Sequence, residues 1–264
     1  MKRRQFLAAS IASSAVALAG EVAAQAPTGR AREFYQLRRY CLRSGPQLKL
    51  TEDFIANALT PAVTRLGMGP VGAFKLDYGA DTPVYYVLIP GHSAAELAEL
   101  DLHLAKDGDF LKAAAPFWSA TAVAPAFQSV DTSLLVAFEG WPKLTPPASS
   151  ATRSKRIFQL RTYVSPSNGD HVRKVEMFHS GEFEIFVKAG CHPVFFGDTL
   201  AGTHMPNLTY MLSFTDMAEL EAKWKLFSND PAWKKLSSSP RYASDQIVTN
   251  ISNLVLSPLA CSQI

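Results

Sequence analysis

Two segments of the chain set the same polar trio on alternate positions. Gln36, Arg38 and Tyr40 lie in Phe34-Tyr35-Gln36-Leu37-Arg38-Arg39-Tyr40, and Gln159, Arg161 and Tyr163 in Ile157-Phe158-Gln159-Leu160-Arg161-Thr162-Tyr163. Alternate residues of a strand share a face, so each trio offers an amide, a guanidinium and a phenol on one side. Such donors suit a carboxylate, an enolate or a phosphate, and in a dry site they stabilise developing negative charge well. A buried arginine also needs an answering group for purely structural reasons, and Glu176, Glu182 and Glu184 are available. Tyr210 adds a further phenol on a later strand. His179 and His204 could act as general bases near neutral pH, although a helix-surface histidine and a loop histidine are the simpler account without a paired nucleophile.

The remaining chemistry-bearing types form no recognisable apparatus. His171 and His179 are eight residues apart, and there is no His-Glu-x-x-His, glycine-rich phosphate loop or Gly-x-Ser-x-Gly elbow. Cys41, Cys191 and Cys261 lack metal-ligand spacing and read as small core residues or one incidental disulfide. No metal site, cofactor or catalytic residue is therefore assigned.

The elements that must position the trios recur with a constant offset. A shift of 123 positions carries Gln36 onto Gln159, Ala95-Glu96-Leu97 onto Ala218-Glu219-Leu220, and Phe110 onto Trp233. That pattern is expected of a duplicated domain. The second copy reads as a strand over 155–164, a helix from Asn168 closed by Gly190, short strands at 193–197 and 207–214, a helix from Asp216, a further helix start at Asp230-Pro231, and a last strand over 246–256. Strands near 33–43, 71–78, 83–89 and 127–138, with helices near 48–66 and 93–105, repeat the order. The pattern is β-α-β-β-α-β, ferredoxin-like, twice.

Each four-stranded sheet would have both helices on one side and leave its other face bare. The expected fold is α+β, with two tandem ferredoxin-like repeats packed sheet to sheet as an intrachain dimeric α+β barrel. The expected boundaries are a leader over 1–26, a first domain over 31–140, a Pro- and Ser-rich linker over 141–153 and a second domain over 154–260. The apolar face of each first strand (Tyr35 and Leu37; Phe158 and Leu160) is expected to meet the helices. The polar trio is then expected to point into the barrel, making the inter-sheet cavity the place for a ligand.

Composition narrows the partners. The chain has 264 residues, 47% hydrophobic and 19% charged, with a net charge of +3. Lys2, Arg3, Arg4 and Glu21 lie in the leader, so the remainder is near neutral and no basic stripe supports a nucleic-acid partner. Met1-Lys2-Arg3-Arg4-Gln5-Phe6-Leu7, followed by an Ala-rich apolar run to Ala19, resembles a bacterial twin-arginine export signal. An ordinary secretory signal or an anchor helix is the alternative. The run falls short of the ~20 apolar residues a spanning helix needs, so a periplasmic or secreted protein without a stable membrane anchor is expected, with cleavage near Val22-Ala23-Ala24.

Gly190-Cys191-His192-Pro193-Val194-Phe195-Phe196-Gly197, Met205-Pro206-Asn207-Leu208-Thr209-Tyr210-Met211-Leu212-Ser213-Phe214 and Asp230-Pro231-Ala232-Trp233-Lys234 together resemble the NIPSNAP family. The first half, with Gly69-Pro70-Val71-Gly72-Ala73-Phe74, is similar to a more diverged copy, lacking a tryptophan in Ser93–Leu104 and carrying Asp107-Gly108-Asp109-Phe110 where the second has Asp-Pro-x-Trp. The resemblance implies a dimeric α+β barrel and no defined activity. Three functional expectations follow. The first is a binding protein for a small polar or aromatic molecule, extending to cofactor-independent catalysis, with Gln159, Arg161, Tyr163, Tyr210, His179, His204, Gln36, Arg38 and Tyr40 as candidate contacts. The second is a non-enzymatic interaction or assembly module, forming a homo-oligomer. The third is a haem-binding or monooxygenase-like barrel, motivated by the export route and by analogy of fold.

Overall fold

The computed structural model describes residues 31–79 and 81–264; the twin-arginine segment and its cleavage sites lie outside the described residues. In chain order the elements are β1 (Phe34–Cys41), α1 (Pro46–Phe54), a wide π turn (Ile55–Leu59) running into α2 (Thr60–Arg65), β2 (Gly72–Leu76), β3 (Val84–Gly91), α3 (Ala94–Ala98), α4 (Leu100–Leu104), α5 (Gly108–Trp118) and β4 (Ser129–Ala137). A single turn, α6 (Ala148–Thr152), interrupts what was expected to be an unstructured linker. The second series is β5 (Ile157–Val164), α7 (Asn168–Met177), a π turn (Phe178–Glu182), α8 (Phe183–Lys188), β6 (His192–Ala201), β7 (Asn207–Phe214), α9 (Met217–Asn229), α10 (Pro231–Ser237), α11 (Ser244–Ile247) and β8 (Asn250–Pro258).

Local chemistry explains the helix starts. Ser167, Asp216 and Asp230 cap α7, α9 and α10 by accepting backbone N–H groups, and Pro231 occupies the first turn of α10. Asp107 does the same for α5, where its carboxylate accepts the Phe110 N–H at 2.9 Å. α5 lies beyond the two helices expected of the first half, and its buried face is Phe110, Ala114 and Phe117.

The eight strands form a closed antiparallel barrel in the order β1-β3-β2-β8-β5-β7-β6-β4. Each set of four pairs internally with its first strand in the middle, flanked by its third and fourth. Two seams join the sets, β2 to β8 through Leu76↔Leu256 and β4 to β6 through Val136↔Asp198. Closure leaves no sheet edge to be protected. The fold is thus an α+β barrel completed within one chain.

The core divides into three layers. Tyr35, Leu37, Phe74, Phe158, Leu160 and Phe195 lie with other strand residues from both sets inside the barrel. Leu144 and the fully buried C-terminal Ile264 join this cluster, and Arg156 Nη2 donates to the Ile264 oxygen at 2.8 Å. The other two layers lie outside the barrel wall, between strands and helices: Tyr40 with Phe54, Leu97 and Phe117, and Tyr163 with Phe178, Phe186 and Phe227. No helix among the described residues is long and apolar enough to cross a membrane.

Candidate functional site

The strand faces are the reverse of the expectation. Tyr35, Leu37, Phe158 and Leu160 fill the barrel, while Gln36, Arg38, Tyr40, Gln159, Arg161 and Tyr163 face the helices. Both faces of these strands are covered, one by the opposite strands and one by helices. The barrel interior is the narrower, closed space and takes the purely apolar set, whereas the helix layer supplies partners for polar groups. The inter-sheet cavity is therefore not where the two trios meet.

In the first half, Arg38 is buried on β1 between Val87 of β3 and Thr132 of β4. Its Nε donates to Gln36 Oε1 at 2.6 Å and its Nη2 to Asp101 of α4 at 2.8 Å. Gln36 in turn donates to the Leu97 carbonyl at 2.6 Å, so amide and guanidinium are fixed as one unit. Nη1 makes no hydrogen bond among the described residues. Burial alone would lower the Arg38 pKa, but Tyr40 and Asp101 outweigh it and hold the group firmly charged. Burial raises the Tyr40 phenol, with Arg38 pulling the other way. The side chains converge on a cavity of about 550 Å³, within the usual range for small-molecule sites. Arg38, Tyr40, Phe54, Asp101, Phe117 and Trp118 line it. Phe54 and Phe117 stack at 4.0 Å, giving it a flat aromatic wall.

In the second half Gln159 and Tyr163 of the same trio are buried and Arg161 is half-buried, packed beneath other side chains. Gln159 donates to Asn253 at 2.8 Å and accepts from Trp224 Nε1 at 2.6 Å. Tyr163 and Tyr210 share a hydroxyl hydrogen bond of 2.9 Å. Burial pushes Tyr163 up to about 12 and Tyr210 well above its ordinary value. The Arg161 guanidinium lies 4.3 Å from the Trp224 ring, and its buried Nε has no hydrogen-bond partner among the described residues. Behind it, Lys174 and Glu182, both nearly inaccessible, pair at 3.0 Å, with Lys174 Nζ also 4.7 Å from the Phe178 ring. Lys174 and Asp101 were not among the residues the sequence pointed to. Their signal was weak, being one polar residue each on an otherwise ordinary helix.

Register explains why one side is open and the other filled. Arg38 faces Val87 across β1–β3, and Arg161 faces the far larger Tyr210 across β5–β7. Leu97 and Leu104 anchor the helical turn that presents Asp101 to Arg38, while Leu220 and Phe227 anchor the turn that presents Trp224 to Arg161. The indole occupies over Arg161 the place that a short carboxylate leaves vacant over Arg38.

The histidines join neither cluster. His179 is exposed; its Nδ1 donates to the Val175 carbonyl at 2.9 Å and its Nε2 accepts the Gly140 N–H at 3.1 Å, which ties the inter-strand segment to the π turn. His204 sits in a loop at one mouth of the barrel. All three cysteines are free, and burial pushes the Cys191 thiol up to about 12. No group of side chains among the described residues could hold a metal ion.

Known proteins with this architecture include a candidate monooxygenase from Lactobacillus acidophilus NCFM, 9% identical over 86% of this chain and 94% of that one, at a TM-score of 0.57. An anthrone oxidase-like protein is 10% identical over 86% of this chain and 92% of that one, at 0.51. An uncharacterised NIPSNAP-like domain protein from Burkholderia xenovorans is 14% identical over 40% of this chain and 86% of that one, at 0.36. No curated protein matches the chain. The first two likenesses establish the barrel, and residues 158–263 match the model of the NIPSNAP family.

Proposed function

We propose that the protein binds a small aromatic molecule carrying an acidic or acceptor oxygen, in the cavity between the first four strands and their helices. The observation that carries this reading is the pairing of a stacked aromatic wall with a buried, firmly charged arginine that keeps one nitrogen unused. Stacking would hold the ring, and Arg38 with the Tyr40 hydroxyl would hold the oxygen. Asp101, half of the ion pair at the cavity rim, would keep Arg38 oriented.

The same donors would stabilise an enolate, so an enolisable aryl ketone such as an anthrone is the substrate class in which binding could lead to cofactor-independent oxidation. Dioxygen would be the oxidant: one oxygen atom enters as the new carbonyl and the other leaves as water with the two methylene hydrogens. The fold shared with an anthrone oxidase-like protein makes anthrone a reasonable first compound. Native mass spectrometry of protein purified without stripping, followed by 2-naphthoate and anthrone titrations read by the tryptophan fluorescence that a Trp118→Phe variant lacks, tests the proposal. A bound aromatic or saturable quenching is expected. A bare chain with a flat titration for both compounds would remove the reading and favour an interaction module, and a Soret band would replace it with haem.

Two features of the sequence accord with this proposal. The recurrence at 123 positions supports a duplication in which one copy kept an open site while the other filled it. Arg3-Arg4-Gln5-Phe6-Leu7 supports export of the folded chain by the twin-arginine route. Changing both arginines to lysine (R3K/R4K) should leave the protein in the cytoplasmic fraction of a bacterial host, against the periplasmic fraction for the native leader. Equal periplasmic yield from both would refute that route.

A further inference from the structure

A second, chemically different cavity opens at the end of the barrel where β1 and β5 finish and β4 and β8 begin. It encloses about 610 Å³. Leu37, Leu76, Tyr86, Leu160 and Leu254 from five strands make an apolar floor, which is the top of the packed barrel core. Above it the walls are polar, and the two sets of strands contribute unlike halves.

On the first set, Arg39 lies between Tyr86 of β3 and Asp131 of β4. It donates to Asp131 at 2.9 Å and to Asp81 at 2.8 Å. On the second set, the residue in the same register is Thr162, between Thr209 of β7 and Ser252 of β8. The two threonine hydroxyls meet at 2.8 Å. A charged triad thus stands opposite a cluster of neutral hydroxyls, and Ser133, Asn250 and Ser252 make no side-chain hydrogen bond among the described residues.

The rim is built and held. Asn207 donates to the carbonyls of Thr203 at 2.9 Å and His204 at 3.2 Å, while its oxygen accepts from Thr199 at 2.6 Å. His204 is thereby kept in a left-handed conformation, with φ 55, that few residues other than glycine adopt. Gly202 brings this loop against the opposite wall, where a Cβ would come within 2.5 Å of Ser133 Oγ.

We infer that this mouth binds a neutral polyhydroxylated molecule, of the class of mono- and disaccharides and cyclitols. The charge balance disfavours anions, because the one arginine is already answered by two carboxylates. The walls disfavour a purely apolar guest, since it would leave unbonded hydroxyls and an amide without water. A sugar ring offers the complement: hydroxyls that both donate and accept around its edge, and C–H faces for the Leu and Tyr86 floor. The inference is independent of the aromatic-ligand proposal, which uses the other face of the same strands.

Saturation-transfer NMR on the full chain with D-glucose, D-galactose, D-mannose, maltose, trehalose and myo-inositol tests it. At least one of these should receive saturation from the protein. The Asn250→Ala and Thr162→Val/Ser252→Ala variants should weaken its binding at least fivefold, with unchanged thermal midpoints. Arg38→Ala, at the other cavity, should leave it unaltered, so the two proposals fail separately. Absence of transfer to all six compounds, undiminished binding in both mouth variants, or preference for inorganic phosphate or benzoate over every sugar would overturn the inference.

Discussion

Replacing Glu182 by alanine should destabilise the fold by about 3–5 kcal/mol, the range seen when one partner of a buried ion pair is removed. Glu182 sits 1% exposed on the π turn after α7, and its partner Lys174 is 2% exposed. Burial raises the Glu182 carboxyl, while Lys174 and Arg161 draw it back toward ionisation. Two cations therefore depend on a single carboxylate. Alanine would strand the Lys174 ammonium, 2% exposed, among the rings of Tyr163, Phe178 and Trp233, with no other acid among the described residues paired to it. Against a total stability of ~5–15 kcal/mol for a typical domain, such a loss should be visible as a large fall in the urea midpoint.

The paired change Lys174→Met with Glu182→Leu removes both charges, and by the same reasoning should be neutral or stabilising by about 1–4 kcal/mol relative to the native chain. The sign of the pH effect follows from the raised carboxyl. A group whose folded pKa lies above its unfolded value weakens the fold as pH climbs from the unfolded value, about 4.3 for glutamate, through the folded one. The double variant should lose that part of the pH profile. A Glu182→Ala protein within about 1 kcal/mol of the native one would show that the pair is dispensable.

The fold was legible because its signals are local. Alternation in 155–164, the helix starts at Asn168, Asp216 and Asp230, and the constant offset between halves pointed to the element order and the closed arrangement before any tertiary contact was known. The candidate site was legible only in part. Alternation correctly put Gln36, Arg38 and Tyr40 on one face, but it could not say which face turns inward. Polar residues usually mark the solvent side of a strand, and here both sides of β1 and β5 are covered over most of their length. The assignment depends on partners distant in sequence, since Asp101 and Leu97 lie more than sixty residues beyond Arg38 and Gln36. Likewise Trp224 looked like core packing, and it is. Its second consequence, closing the pocket over Arg161, emerges only when it is set beside Asp101.

That comparison yields the sharpest test of the open site. Asp101→Trp should close the first cavity much as Trp224 closes the second, with an indole lying over Arg38. Asp101 is 60% exposed in its side chain, so the larger residue has a solvent route to its position and need not displace core. Binding of 2-naphthoate, or of whatever aromatic the protein carries, should weaken at least a hundredfold, with the urea midpoint falling modestly as Arg38 exchanges its carboxylate partner for the indole face. Arg38→Ala should weaken it about 10- to 100-fold, the worth of one charge-assisted hydrogen bond of roughly 1.5–3 kcal/mol. Arg161→Ala should not change it, although that residue belongs to the half that matches the family model. If Arg161→Ala abolishes binding and Asp101→Trp does not, the functional pocket lies behind β5. A ligand would then have to displace the Trp224 indole that lies over the half-buried Arg161 guanidinium.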